Sequence, residues 1–426
     1  MLIMAEFEKL TLPNGLRIIL APLVSFKSVT AIVLCGAGSR YETERTNGVS
    51  HFLEHMFFKG TKKRPNASNI SHTLDNIGSD YNAFTGKETT GYHIKAASQH
   101  LPLIVDMLSD MLWNSKFDLS EIEKERGVII EEINLYEDTP MRRVAEIYEQ
   151  VLWPNEPLGW DVGGRKEVIR QLERKDFIEY IKARYVPNNL VVALAGHFDR
   201  GIAINLLKKY FGKETVRGVT GFEKVSDKQN KPSLKVVYKK TDQAHLVLGF
   251  RGLPLSHPDR YSAAVLSTIL GGGMSSRLFI NVREKRGLAY YVRADHESYL
   301  DTGTLMAAAG VDLRRIDEAI GVILAEFAEI SKKPVGEPEL KKAKEYIKGR
   351  VILAWEDSRT AAFSYGTDEI LEGRMRSLDE YLRKIEAVES EDVLRVAKFL
   401  IDNSKLNLAV VGPFKNTASF EKILKI

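Results

Sequence analysis

DFIEYIKARYVPNNLVVALAGHF, residues 176–198, and EDVLRVAKFLIDNSKLNLAVVGPF, residues 391–414, are two versions of one pattern. Each reads as a helix, a polar turn, an apolar strand and then Gly-x-Phe. Asp176 pairs with Asp392, Leu190 with Leu406, Gly196 with Gly412 and Phe198 with Phe414, all at an offset of 216 residues. A weaker echo at a similar offset sets LYEDTP, residues 135–140, against AWEDSR, residues 354–359. Self-similarity at about half the chain length predicts duplication of one domain-sized unit. The expected fold class is therefore α+β: two duplicated halves, each a mainly antiparallel sheet with helices packed on one face. Residues 1–212 would form the first half and 235–426 the second. Between them 213–234, polar and rich in Lys, Gly and Ser, reads as a linker.

Length agrees, because 426 residues exceed what one hydrophobic core usually supports. With 44% hydrophobic and 28% charged residues the composition is that of a globular protein. No apolar run approaches the roughly 20 residues of a membrane span, so no membrane association is expected. The start, MLIMAEFEKL, turns charged too early for a signal-peptide core, and the expected location is cytoplasmic. The formal charge of +4 comes from 61 basic and 57 acidic groups spread along the chain, without the basic patch that nucleic acid requires. Cys35 is the single cysteine, set in the apolar run AIVLCG, and reads as a small core side chain rather than a nucleophile.

Along the first half, FEKLTL and LRIILA flank Pro13-Asn14-Gly15 and predict a hairpin. A strand at 29–34, a helix at 46–58 and a second helix from Ser68 follow. Strands at 80–84 and 89–96 precede a helix at 100–113. Ser120 with Glu123 predicts a capping box that opens a long helix to about Tyr136. Its apolar residues Val128, Ile129, Ile130 and Ile133 predict that this helix is largely buried.

The chemistry is carried by His51-Phe-Leu-Glu54-His55. Two imidazoles four residues apart lie on one helix face, where both can reach one cation. Glu54 sits beside that face, placed to take a proton from water that a metal has acidified. A catalytic zinc commonly takes three protein ligands and leaves a position open. The long helix offers Glu125, Glu131 and Glu132. Glu125 and Glu132 are two turns apart on one face, while Glu131 points about 100° away. One of the aligned pair can bind metal and the other can hydrogen-bond a ligating histidine. Gly271-Gly272-Gly273 lacks a phosphate-loop pattern and reads as a mobile peptide-guiding loop. The remaining histidines have no partner at ligand spacing.

H-x-x-E-H with a glutamate 77 residues past its second histidine, in ERGVIIEEI, resembles the inverted-zincin peptidases, the family of pitrilysin, insulysin and the mitochondrial processing peptidase. The resemblance extends over the chain through HFLEHMFFKGT, DYNAFT, the PLG turn at 157–159 and REKRGLAYYV. It implies that His51, His55 and Glu132 are the metal ligands, that Glu54 is the general base, and that Glu125 supports a ligand. It implies that Asn82 and Ala83 lie on an edge strand that binds substrate backbone, and that Arg283 and Tyr290 orient substrate and stabilise charge on its carbonyl oxygen. The second half has no H-x-x-E-H, so one zinc ion per chain is expected. The expected function is that of a zinc-dependent endopeptidase of the smaller homodimeric kind, cleaving peptides or unfolded segments in an enclosed chamber. A non-catalytic scaffold subunit and a protease that matures one dedicated peptide are the alternatives.

Overall fold

The predicted hairpin forms: β1 (Glu8–Thr11) pairs antiparallel with β2 (Arg17–Pro22) across the Pro13-Asn14-Gly15 turn. In the computed structural model, which describes residues 7–426, four further strands join them: β3 (Ser28–Cys35), β4 (Asp80–Thr85), β5 (Thr90–Ala97) and β6 (Leu190–Gly196). The apolar start read against a signal peptide falls largely in residues 1–6, outside the described residues. The sheet order is β1-β2-β6-β3-β5-β4. The second sheet contains β7 (Ser233–Tyr238), β8 (Gln243–Gly252), β9 (Ala289–Ser298), β10 (Gly303–Asp312) and β11 (Asn407–Gly412), in the order β7-β11-β8-β10-β9. Without β1 the two orders are the same walk through five strands. In each, one pair is parallel (β2–β6, β7–β11) and the others are antiparallel.

The helix preceding β6, Arg174–Arg184, and the one preceding β11, Ser390–Leu400, share a device that the repeat foretold only in part. Both open on reciprocal capping boxes, Glu173 with Asp176 and Glu389 with Asp392, again 216 residues apart. Each pair satisfies two backbone N–H groups at a helix start. The long helix differs from expectation. It spans Leu119–Glu137, so Ser120 lies inside it, and the Asp118 carbonyl accepts the first N–H bonds, from Glu121 and Ile122. The Glu123 carboxylate is bound instead by Arg126, at 2.9 and 3.1 Å. This helix buries only Ile122, Glu125 and Ile129, and Val128 is half exposed.

Helices on one face of each sheet are only part of the architecture. Every residue of β6 and β11 is buried, so both faces of both sheets must be covered. On one face of the first sheet several helices enclose a core around Val33, Phe52, Leu53, Tyr92, Ile104 and Phe177. On the other, Ile19, Ile32, Leu34 and Ala193 meet Ala361, Ala362 and Tyr365 of a single helix, Ser358–Glu372. The second sheet repeats this. One face holds the core around Leu248, Phe250, Leu266 and Phe327, and the other receives Val144, Ile147, Tyr148 and Leu152 of helix Pro140–Leu152.

The covering helices come from the opposite halves of the sequence. One compact unit takes residues up to Ile133, Asp161–Glu223 and Ile352–Asp379, and the other takes Asn134–Trp160, Lys224–Val351 and Glu380–Ile426. The sequence division into 1–212 and 235–426 thus differs from the compact units by one exchanged helical segment in each direction. The echo LYEDTP/AWEDSR stands at the start of both exchanged helices. Segment 213–232 has no regular structure but is fastened along its length. In the first unit Arg184 donates to the Thr220 carbonyl and the Arg40 guanidinium stacks on Phe222 at 3.9 Å. In the second, Val225 N–H bonds Asp301 and Gln229 bonds the Leu406 carbonyl.

Candidate metal centre

The H-x-x-E-H motif occupies helix Val49–Met56 of the first unit. Its start is fixed by a buried carboxylate: Glu42 accepts from the N–H groups of Gly48 at 2.7 Å and Ser50 at 2.9 Å, and from Asn47 Nδ2 at 3.0 Å. These bonds satisfy N–H donors that a helix start otherwise leaves orphaned, and they place a negative group at the positive end of the helix. The buried Phe52, Leu53 and Met56 form the core face, so His51, Glu54 and His55 turn toward the open side.

His51, His55 and Glu132 are brought together by this packing. Glu132 Oε2 lies 3.7 Å from His51 Nε2 and 3.4 Å from His55 Nε2. Ligand atoms at ~2.0–2.1 Å from a tetrahedral zinc are about 3.3–3.4 Å apart, so the two Glu132 distances are near that spacing, and all three donors lie within 4.8 Å of one another. Their side chains are 12–24% exposed, buried enough to stay oriented and open enough to admit water and substrate. Among the described residues this is the one group of three His, Cys, Asp or Glu side chains with donors converging for a metal.

Of the two aligned helix glutamates, Glu125 is the one that stands outside the donor cluster and contacts a histidine. It accepts from His55 Nδ1 at 3.2 Å, on the side of the ring away from Glu132, and from Lys59 Nζ at 2.5 Å. Burial alone would raise the Glu125 carboxyl, but the hydrogen bonds from His55 and Lys59 hold it below the usual range. For His55 burial acts downward, and the bonds to Glu125 and Glu132 outweigh it, raising the metal-free imidazole to about 9. His51 is lowered to about 4 by burial and by the neighbouring His55. Glu131 is exposed, as its direction predicted.

Glu54 lies beside this cluster without joining it. Its Oε2 accepts from the Thr85 hydroxyl at 2.6 Å, and burial pushes its carboxyl above the usual value against the opposing pull of Thr85 and His55. A raised carboxyl is suited to take up a proton in one step and give it back in the next. Asn82 and Ala83 lie on β4, the edge of the first sheet, and Ala83 N–H donates to Asn82 Oδ1 at 2.9 Å. A cavity of about 330 Å³ beside this strand is lined by Phe58, Lys59, Ile70, Ser71, Tyr81 and Asn82, among others.

Arg283 and Tyr290 belong to the second unit. Arg283 sits in the π-helical turn Phe279–Glu284, with its guanidinium 4.8 Å from the Phe279 ring and 5.8 Å from that of Tyr290. Tyr290, on edge strand β9, is 72% exposed. The Gly271–Gly273 stretch is no free loop at its start: Gly271 ends helix Arg260–Gly271, and a Cβ there would stand 2.0 Å from Ala294 N of β9. That glycine serves close packing. Cys35 is buried, its thiol is directed at the Arg184 carbonyl, and burial pushes its pKa up.

Lys59 and Thr85 escaped the sequence reading. Lys59 follows His55 by the same four residues that separate the two histidines, which was an available signal. Thr85 had none in isolation, since its place beside Glu54 depends on how β4 packs against the motif helix.

Comparison with known proteins bears on descent and fold. Residues 18–164 match the family model described as Insulinase (Peptidase family M16), and residues 171–347 match that of the Peptidase M16 inactive domain. The chain is 37% identical over 413 residues to a Bacillus subtilis protein named uncharacterized zinc protease YmxG, covering 97% of this chain and all of that one. An uncharacterized zinc protease of Streptomyces coelicolor is 33% identical over 96% of this chain and 90% of its own length. Among solved structures, a protease from Helicobacter pylori superposes with a TM-score of 0.89 at 23% identity, over 96% of this chain and all of that one. A peptidase M16 inactive domain from Pseudomonas fluorescens has the same TM-score at 17% identity, over 96% and 98%. Such likeness at low identity speaks to the fold, while the end-to-end relatives settle descent: the chain belongs to peptidase family M16.

Proposed function

We propose that the protein is a zinc-dependent endopeptidase that holds one zinc per chain and hydrolyses peptides or unfolded segments. The observation that carries this reading is the convergence of His51 Nε2, His55 Nε2 and Glu132 Oε2 beside a separate carboxylate, Glu54. Zinc held there would polarise the scissile carbonyl and bring the pKa of water to ~7. Glu54 takes the proton from the attacking water and returns it to the leaving amine, which completes hydrolysis of the peptide bond. Substrate backbone adds to the edge of β4 at Asn82 and Ala83, and one of its side chains enters the cavity between Phe58 and Tyr81.

The reading includes assembly as a homodimer in which Arg283 and Tyr290 of one copy serve the metal centre of the other, enclosing a chamber that admits unfolded chains. The exposure of Tyr290 and its pairing with Arg283 leave both side chains available for that role.

Elemental analysis and cleavage of a quenched peptide test the core of the proposal. One zinc per chain and cleavage that stops with a chelator and returns with zinc are expected. Glu54→Gln should keep the zinc and lose about 10²–10⁴-fold in rate. A variant with more than about a tenth of normal turnover would remove Glu54 from the role of base.

A further inference from the structure

Glu54 is held by a hydroxyl from outside its own helix. Thr85 is the last residue of β4, and its Oγ1 donates to Glu54 Oε2 at 2.6 Å. Residues 81, 83 and 85 share one face of this strand by alternation, and Tyr81 and Ala83 pack against the core that includes the motif helix. Thr85 therefore faces the helix that bears Glu54, and the hydroxyl occupies one carboxylate oxygen while leaving the other for water.

The strand end is itself braced. Ser39 N–H bonds the Gly86 carbonyl at 3.2 Å and Arg40 N–H bonds the Lys87 carbonyl at 2.9 Å. The fully buried Arg40 guanidinium pairs with Glu88 at 2.5 Å. Gly38 lies so near this turn that a Cβ would stand 2.4 Å from the Gly86 carbonyl oxygen. Two residues beyond Arg40, Glu42 caps the start of the motif helix. A single short segment, Gly38 to Glu42, thus fixes both the turn that follows Thr85 and the helix that carries Glu54.

We propose that Thr85 is a positioning residue for Glu54, and that the 38–42 segment sets the distance between them. Edge strand and base then form one rigid assembly, so a substrate laid along β4 meets a base already aimed. Because the hydroxyl touches the base itself, its loss should be felt in turnover rather than in substrate binding.

The inference rests on the peptidase reading, and three substitutions separate the hydroxyl from the methyl group. Thr85→Val keeps the shape without the hydroxyl, Thr85→Ser keeps the hydroxyl without the methyl, and Thr85→Ala removes both. If the hydroxyl aims the base, Val and Ala lose about tenfold or more in kcat with KM within about twofold, and Ser stays within about threefold of wild type. Zinc affinity should stay unchanged in the Val and Ser variants, and Ser should also keep the thermal midpoint of the metal-free chain. Normal turnover in Val and Ala, or a loss shared by Ser and Ala but spared in Val, would overturn the proposal and leave Thr85 a packing residue. If Val fails to fold, Ser against Ala still separates the two roles: a loss in Ala alone supports the hydroxyl, and equal rates overturn it. An inactive wild type would sink the peptidase reading together with this one, whereas an active wild type with active Val and Ala variants sinks this one alone.

Discussion

Replacing the three glutamates of helix Leu119–Glu137 one at a time by glutamine should give three widely separated zinc affinities. Glu132 is in the ligand cluster, 3.4 Å and 3.7 Å from the two imidazole nitrogens. Glu125 reaches only the far nitrogen of His55, at 3.2 Å, and Glu131 is exposed. Losing a group that orients a ligand typically costs 10–100-fold in metal affinity, so Glu125→Gln should fall in that range. Loss of a charged ligand should exceed it, by about a thousandfold or more for Glu132→Gln. Glu131→Gln should stay within about twofold. Competition against a chromophoric chelator at pH 7 measures all three. Equal losses for Glu131→Gln and Glu132→Gln, or for Glu125→Gln and Glu132→Gln, would refute the assignment.

The same series carries a pH signature. Without metal, His55 keeps its proton up to about 9, because its bonds to Glu125 and Glu132 outweigh burial. Zinc must expel that proton, so affinity should climb by about tenfold per pH unit through neutrality and level off near 9. An unfolded histidine titrates near ~6.5, so His55 stabilises the metal-free fold fully below that value and loses its contribution as pH rises through about 9. The urea midpoint of the metal-free chain should therefore receive a falling contribution from His55 across that window. Glu125→Gln, with a weaker hold on the proton, should flatten both trends.

Two further outcomes follow from packing and assembly. Thr30 on β3 and Ser358 on the exchanged helix share a fully buried hydroxyl pair at 2.8 Å, so Thr30→Val or Ser358→Ala alone should cost about 1–3 kcal/mol in urea unfolding, while the double variant costs less than the two together; strict additivity would show that the pair is not coupled. For the homodimer, an inactive Glu54→Gln chain mixed with an inactive Tyr290→Phe chain should recover activity at one site of each mixed dimer. No recovery after proven exchange of subunits would mean that each site is built within one chain.

What the sequence made legible follows the range of the interactions involved. His51, Glu54 and His55 lie within one and a half turns of a single helix, so helical geometry alone brings them into register. Glu125 and Glu132 could be narrowed to a pair for the same reason, and helical geometry alone left open which of them would bind metal. Thr85 stands 31 residues from Glu54 on a different element, and no periodicity within either element announces their meeting.

The exchanged helices were hidden for another reason. The apolar stripe of helix Pro140–Leu152, with Val144, Ile147, Tyr148 and Val151, states that one face is buried but not against which sheet. Duplication makes that choice nearly degenerate, because both sheets offer similar small apolar faces: Ala193 and Ala195 in the first, Ala308 and Ala409 in the second. General hydrophobicity cannot separate two such partners. Each helix also carries one hydroxyl matched to its own sheet, Ser358 with Thr30 at 2.8 Å and Tyr148 with Thr304 at 3.2 Å. On the wrong sheet those buried hydroxyls would lose their mates at about 1–3 kcal/mol for each orphaned group, a penalty that apolar contact does not offset. Polar pairing between residues 328 and 156 positions apart thus discriminates where the apolar pattern does not, and it is the kind of information a single sequence conceals.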